Sequence, residues 1–195
     1  MMCLKRWKVT VLIMADFNLF YKKYNSFLST FKATSLDNYD KSKPNKYLCF
    51  DTSQQVINFD KIVEDKYPDS NMRPKAFDAI FFDEKENIIY LIEFKNQKKP
   101  DKEEVEGKLL DGKKEFDLLL SELNISKDDY KIIFCLVYDK YHPKNERHKR
   151  GLFKSLTFEF LEQHKKSCLV NDIYTEDVNF FTKQFKKKTL KELEC

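Results

Sequence analysis

The sequence predicts an α/β domain built on a mixed sheet flanked by helices, and three stretches carry that expectation. Lys75 to Lys95 contains two runs rich in Phe, Ile, Leu and Tyr around the turn composition DEKEN, the pattern of a β-hairpin. Asp101, with Glu104 three residues on, makes a capping box ahead of a helix carrying Val105, Leu109, Phe116, Leu119, Leu120 and Leu123. Tyr130 to Tyr138, YKIIFCLVY, is an apolar run of strand length, as expected of a central strand buried on both faces.

Composition sets the bounds. With 195 residues, 42% hydrophobic content, 18 Phe and 10 Tyr, the chain can bury a sizeable core, which argues against disorder. It reads as one domain over 1–195, with its core at about 52–140. The flanks, 1–46 and 151–195, read as helical elaborations at the N- and C-terminal ends. A net charge of +4 from 36 basic and 32 acidic residues permits nucleic-acid binding without requiring it. Five widely spaced Cys with no CxxC pair fit reduced thiols and offer neither a zinc site nor a disulfide framework. No apolar run approaches the roughly 20 residues of a membrane span. The opening MMCLKRWKVTVLIMA resembles a signal peptide, but its apolar core is broken by Thr10 and followed at once by Asp16. It is expected to be cytoplasmic, either as an ordered first strand or as an overlong start ahead of Met14.

Taken in order, Asp16 is placed to cap a helix in which Phe17, Phe20, Tyr21, Tyr24, Phe27, Leu28 and Phe31 recur at helical spacing. Ala33 to Lys46 is polar and reads as a loop, and Tyr47 to Phe50 as a short strand. A second helix, beginning at Asp51 or Asp60, carries Val56, Phe59, Ile62, Val63 and Tyr67 inward and stops near Pro68. Gly107 and Gly112 weaken the later capped helix, either for close packing on the sheet or to admit a phosphate backbone near Lys108 and Lys113. Ser155 to Lys166 reads as helix, Ile173 to Thr175 and Val178 to Phe181 as extended, and the tail from Lys183 as a basic helix.

Charges interrupt the apolar hairpin, and strand geometry relates them to one another. Side chains alternate faces with a period of two, so Glu93 and Lys95 share a face with Ile89 and Leu91. A hairpin that closes with Asp83 opposite Ile88 puts Asp78 opposite Glu93, on that same face. A one-residue slip would separate them. Two converging carboxylates repel unless a cation lies between them, and hard oxygen ligands suit Mg²⁺ or Mn²⁺. A neighbouring Lys can orient water or steady charge on a phosphoryl group. The constellation therefore fits metal-assisted phosphodiester hydrolysis.

Asp78 followed by Glu93-Phe94-Lys95, on a hairpin succeeded by a helix and a further strand, resembles the PD-(D/E)XK nuclease superfamily with its restriction-endonuclease-like core. The family's usual Pro before the Asp is Phe77 here, the nearest being Pro74. The resemblance covers about residues 52–140. It implies a Mg²⁺- or Mn²⁺-dependent nuclease, acting on DNA in preference to RNA and leaving a 5′-phosphate. Asp78, Glu93 and the carbonyl of Phe94 would hold the metal, and Lys95 would position water. The family also implies an acidic residue from the preceding helix, Glu64 or Asp65, with Glu64 preferred. Gln97 or Lys108 would reach the site from the following helix.

The segment DKYHPKNERHKRG, 139–151, reads as a loop whose Lys140, Lys144, Arg147, Lys149 and Arg150 track phosphates or are simply solvated. His142, Asn145 and His148 fall within one turn-sized segment and do not form a His-Asn-His nuclease motif. Two rivals stand beside the enzyme. One is a catalytically inactive nucleic-acid- or protein-binding module on the same fold. The other is a defence or restriction nuclease working as a homodimer or in a larger assembly.

Overall fold

The computed structural model describes residues 17–37, 46–96, 101–138, 149–189 and 191–195, with side chains except at 149–157, 177, 179 and 180. β1 (Leu28–Thr30), β4 (Gln55–Asn58), β5 (Ala79–Asp83), β6 (Ile88–Lys95), β7 (Lys131–Tyr138) and β8 (Asp172–Asp177) form one six-stranded sheet in that spatial order. β2 (Leu36–Asp37) and β3 (Lys46–Tyr47) pair separately. Strands β1, β4, β5 and β6 run antiparallel to their neighbours, whereas β6, β7 and β8 are parallel. A parallel step needs a crossover. Helix α4 (Lys102–Glu122) supplies the one between β6 and β7, and α5 (Lys149–Lys166) lies between β7 and β8.

The β5–β6 hairpin closes with Asp83 opposite Ile88, the expected register. Its turn ends at Asn87, whose φ of 55° is a left-handed conformation that Asn tolerates better than most residues. Alternation then sorts the apolar residues between the two faces of the sheet. Ile80, Phe82, Ile89, Leu91, Phe134 and Leu136 pack with residues of α1 (17–23), α3 (Phe59–Lys66), α4 and α5. Phe81, Tyr90, Ile92, Ile133 and Val137 point the other way, against Phe31 of α2 (Phe31–Thr34), Phe181 and Phe185 of α6 (Val178–Thr189), and Leu193. Glu93 and Lys95 belong to the first face by the same parity.

Several expectations change. The helix foreseen from Phe17 to Phe31 breaks into α1, a 3₁₀ turn at Asn25–Phe27, β1 and α2, which Thr30 caps by accepting from the Ala33 N–H. Phe17 and Phe20 fill one face of the sheet and Phe31 the other, so a single straight helix could not have buried all three. Asp51 starts no helix. Its carboxylate accepts from the N–H groups of Ser53 and Gln54 in a turn, and Gln55–Asn58 is strand β4. The helix starts at Phe59, with the Asn58 side chain accepting from Lys61 N–H. Val178–Phe181 is helical because Phe181 and Phe185, four apart, bury together on the second face. Helix α5 begins at Lys149, so Lys149, Arg150 and Gly151 are helical rather than loop.

The thiols also depart from expectation. Cys49 and Cys195 form a disulfide across a sequence separation of 146. The chain end folds back beside residues 49–51: Phe50 N–H donates to Glu194 O at 2.6 Å, and Glu194 N–H reaches Asp51 Oδ2 at 3.4 Å. Spacing along the chain carries no trace of that return. Among the described residues no helix is long and apolar enough to cross a membrane.

Candidate active site

Asp78 sits immediately before β5 and is fixed by its own backbone. Its N–H donates to Ile92 O at 3.0 Å and its carbonyl accepts from Phe59 N–H at 3.1 Å, which ties the start of α3 to the hairpin. Its Oδ2 accepts from Phe94 N–H at 2.6 Å. Glu93 lies in β6 between β5 and β7 and has no solvent exposure. A buried carboxylate is costly without opposite charge. Two lysines provide it.

Lys108, projecting from α4, places Nζ 2.8 Å from Glu93 Oε1, 3.0 Å from Oε2 and 3.6 Å from Asp78 Oδ1. Lys95 Nζ lies 3.1 Å from Glu93 Oε1 and is also paired with Glu104. Glu104 and Lys108 are four residues apart and so occupy neighbouring positions on α4. The result is a ladder of alternating charge: Glu104, Lys95, Glu93, Lys108, Asp78. It reaches solvent at Asp78 and Lys108, whose side chains are 21% and 20% exposed, and at Glu104.

The surroundings set the protonation of this ladder. Desolvation, and next the charge of Glu93, push the Asp78 carboxyl up to about 8, against the pull of Lys108. Burial lowers the pKa of Lys108, but Glu93 and Asp78 together outweigh it and leave it raised. Lys108 therefore stays charged at neutral pH, while Asp78 in the metal-free protein largely keeps its proton there.

Of the residues foreseen from sequence, Asp78, Glu93, Lys95 and Lys108 converge. Glu64 does not join them: it is exposed and pairs with Arg73 at 3.1 Å. Asp60, one turn earlier on α3, is the acidic residue of that helix that interacts electrostatically with both Lys108 and Asp78. Phe94 contributes its N–H to Asp78. Gln97, Lys144 and Arg147 lie outside the described residues, as do the side chains of Lys149 and Arg150 in the first turn of α5. Lys113 is turned away from phosphate duty, being buried and bonded to Asp117 at 2.5 and 2.7 Å.

No family model, curated protein or solved structure matches this chain. Among the described residues no three His, Cys, Asp or Glu side chains are grouped to hold a metal. Asp78 and Glu93 nonetheless fit one cation, because the Lys108 ammonium touches Glu93 and approaches Asp78 at the same time. Both are hard oxygen donors of the kind Mg²⁺ and Mn²⁺ prefer.

Sequence reading missed two members. Glu104 reads as the third helical residue of a capping box, whose side chain normally turns back to the cap, but here it reaches Lys95 instead. Asp60 differs from Glu64 only in which turn of α3 it occupies, and local sequence does not settle that.

Proposed function

We propose that this chain is a divalent-metal-dependent nuclease that hydrolyses phosphodiester bonds, with DNA the preferred substrate, on a restriction-endonuclease-like core. The observation that carries the reading is the convergence of Asp78 and Glu93 on one positive charge, next to Lys95, at an opening to solvent. The antiparallel hairpin, the crossover helix and the parallel third strand support the core assignment. Asp78 and Glu93 would hold Mg²⁺ or Mn²⁺. When bound, the metal supplies a polarised phosphoryl oxygen and a more acidic water.

The chain's own residues do the remainder. Phe94 N–H fixes the Asp78 carboxylate, leaving Oδ1 as the oxygen turned toward Lys108. Glu104 holds the Lys95 ammonium beside Glu93, where it can donate to an attacking water or to an oxygen gaining charge. Asp60 adds negative potential from the start of α3.

Plasmid, linear duplex, single-stranded DNA and RNA incubated with Mg²⁺, Mn²⁺ or EDTA provide the test. Cleavage is expected with either metal and not with EDTA, and Glu93→Gln should lower it by at least about a hundredfold. Lys95→Met should lower the rate while leaving Mn²⁺ binding in place. Absence of cleavage on every substrate with both metals would retire the enzyme reading. One observation favours a second reading: the ladder is already neutralised by the chain's own lysines, as in a structural ion network. On that reading the fold is an inactive binding module.

A further inference from the structure

Lys108 occupies an unusual position for a surface-helix lysine. Its ammonium is 2.8 and 3.0 Å from the two oxygens of a fully buried glutamate and 3.6 Å from Asp78 Oδ1. Among the described residues these two carboxylates are its ion-pair partners. A Mg²⁺ or Mn²⁺ ion bound by the same oxygens would sit at roughly 2.0–2.2 Å from them, well inside the ammonium's own distances. Two cations cannot share that space.

Lys95 is held differently. It contacts Glu93 Oε1 but not Asp78, and Glu104 fixes it from the other side. It can therefore stay while a metal binds. Among the described residues Lys108 makes no ion pair beyond those with Glu93 and Asp78, Asp60 acting on it only through space, and its flexible four-carbon stem starts from α4 with the side chain 20% exposed.

We propose that Lys108 is a resident counter-ion standing in for the metal, that metal entry displaces its ammonium, and that the freed ammonium then meets a substrate phosphate oxygen. The proposal rests on the metal-dependent reading of this site. It assigns Lys108 two roles in sequence: it neutralises Glu93 and fills the space beside Asp78 in the metal-free protein, then it becomes a phosphate contact in the loaded one. Substrate and metal would then bind with positive coupling, since the metal releases the group that the phosphate needs.

Calorimetric titration with Mn²⁺ alone, without substrate, tests it on the parent, Lys108→Met and Lys95→Met. Lys108→Met is expected to bind Mn²⁺ about tenfold more tightly than the parent, within the usual range of coupling between ligands. Lys95→Met removes an equal charge from beside Glu93 but not from between the carboxylates, so it should gain much less. A second measurement uses the parent only: amine-reactive labelling read by mass spectrometry should rise at Lys108 when Mn²⁺ replaces EDTA. That labelling decides the matter if Lys108→Met does not fold without metal. If the parent binds Mn²⁺ but Lys108→Met gains no more than Lys95→Met, or labelling of Lys108 does not rise, the displacement is wrong and the nuclease reading stands. If neither the parent nor Lys108→Met binds Mn²⁺, both fall together.

Discussion

Asp78 concentrates the electrostatic conflict of the site in one side chain. Its carboxyl is raised from 3.8 to about 8, first by desolvation and then by Glu93, so in the metal-free folded protein it keeps a proton that the unfolded chain has already lost at neutral pH. The sign of the linkage follows. The stability tied to that proton is fully present below pH 3.8 and is lost as pH rises to about 8, because the unfolded state releases the proton first. Urea denaturation in EDTA at about pH 5 and about pH 8 should therefore find the parent weaker at the higher pH. Asp78→Asn, which resembles the protonated form, should lose less over the same range. Equal losses in the two proteins would mean that Asp78 ionises normally. Mn²⁺ should flatten the parent's slope, since a bound cation favours the ionised carboxylate.

Helix α4 is the element that delivers Lys108 and the outer carboxylate, Glu104. Asp101 caps it by accepting from Glu104 N–H at 2.8 Å, which fixes where the helix begins and so which face presents Glu104 and Lys108 to β6. Its two glycines do different things. A Cβ on Gly112 would lie 2.7 Å from Phe77 Cδ1, and Phe77 is fully buried and stacked on Phe59 at 4.3 Å between ring centroids. A Cβ on Gly107 would instead meet the end of the exposed Lys75 side chain, which can swing away. Gly112→Ala should therefore destabilise by about 1–2 kcal/mol, overpacking outweighing the helix-propensity gain. Gly107→Ala should be neutral or stabilising by up to about 1 kcal/mol. Denaturant midpoints compare the two directly. Equal effects would place the constraint in helix propensity and not in the packing of Phe77.

A crosslink closes the chain between residues 49 and 195 at the face opposite the site. Cys195 is bonded to Cys49, and Leu193 is buried among Phe31, Phe181 and Phe185 on the second face of the sheet. A crosslink spanning most of the sequence restricts the unfolded chain strongly, with a typical effect of about 2–4 kcal/mol. Under oxidising conditions Cys195→Ser should lose stability on that order, and addition of a thiol reductant should bring the parent down to the variant. A non-reduced digest should yield the peptide joining residues 49 and 195. If parent and variant melt alike without reductant, the crosslink does not contribute. Because this clasp and the carboxylate cluster lie on opposite faces, metal binding should change little in Cys195→Ser.

The sequence by itself determined the hairpin and its register, the capped crossover helix and the buried central strand, because each rests on local physics. Alternation places Glu93 and Lys95 on one face, a four-residue turn sets the pairing from Asp83–Ile88 to Ala79–Ile92 and so brings Asp78 to the end of β5 beside Glu93, and Asp101 with Glu104 marks a helix start. Charges inside apolar strands were enough to pick out Asp78, Glu93 and Lys95, and Lys108 was within reach as a candidate on the following helix. Tertiary structure decided what depends on contacts distant in sequence. Glu64 and Asp60, four residues apart, share a face of α3, and only the bond from Phe59 N–H to Asp78 O, which seats the first turn of the helix beside the hairpin, brings Asp60 within electrostatic reach of Asp78. That Glu104 would grip Lys95, that Lys108 would bridge both carboxylates, that the first helix would break to serve two faces, and that Cys195 would return to Cys49 all follow from packing across the sheet. Local propensity is blind to such pairings because their partners come into contact only once the sheet has closed.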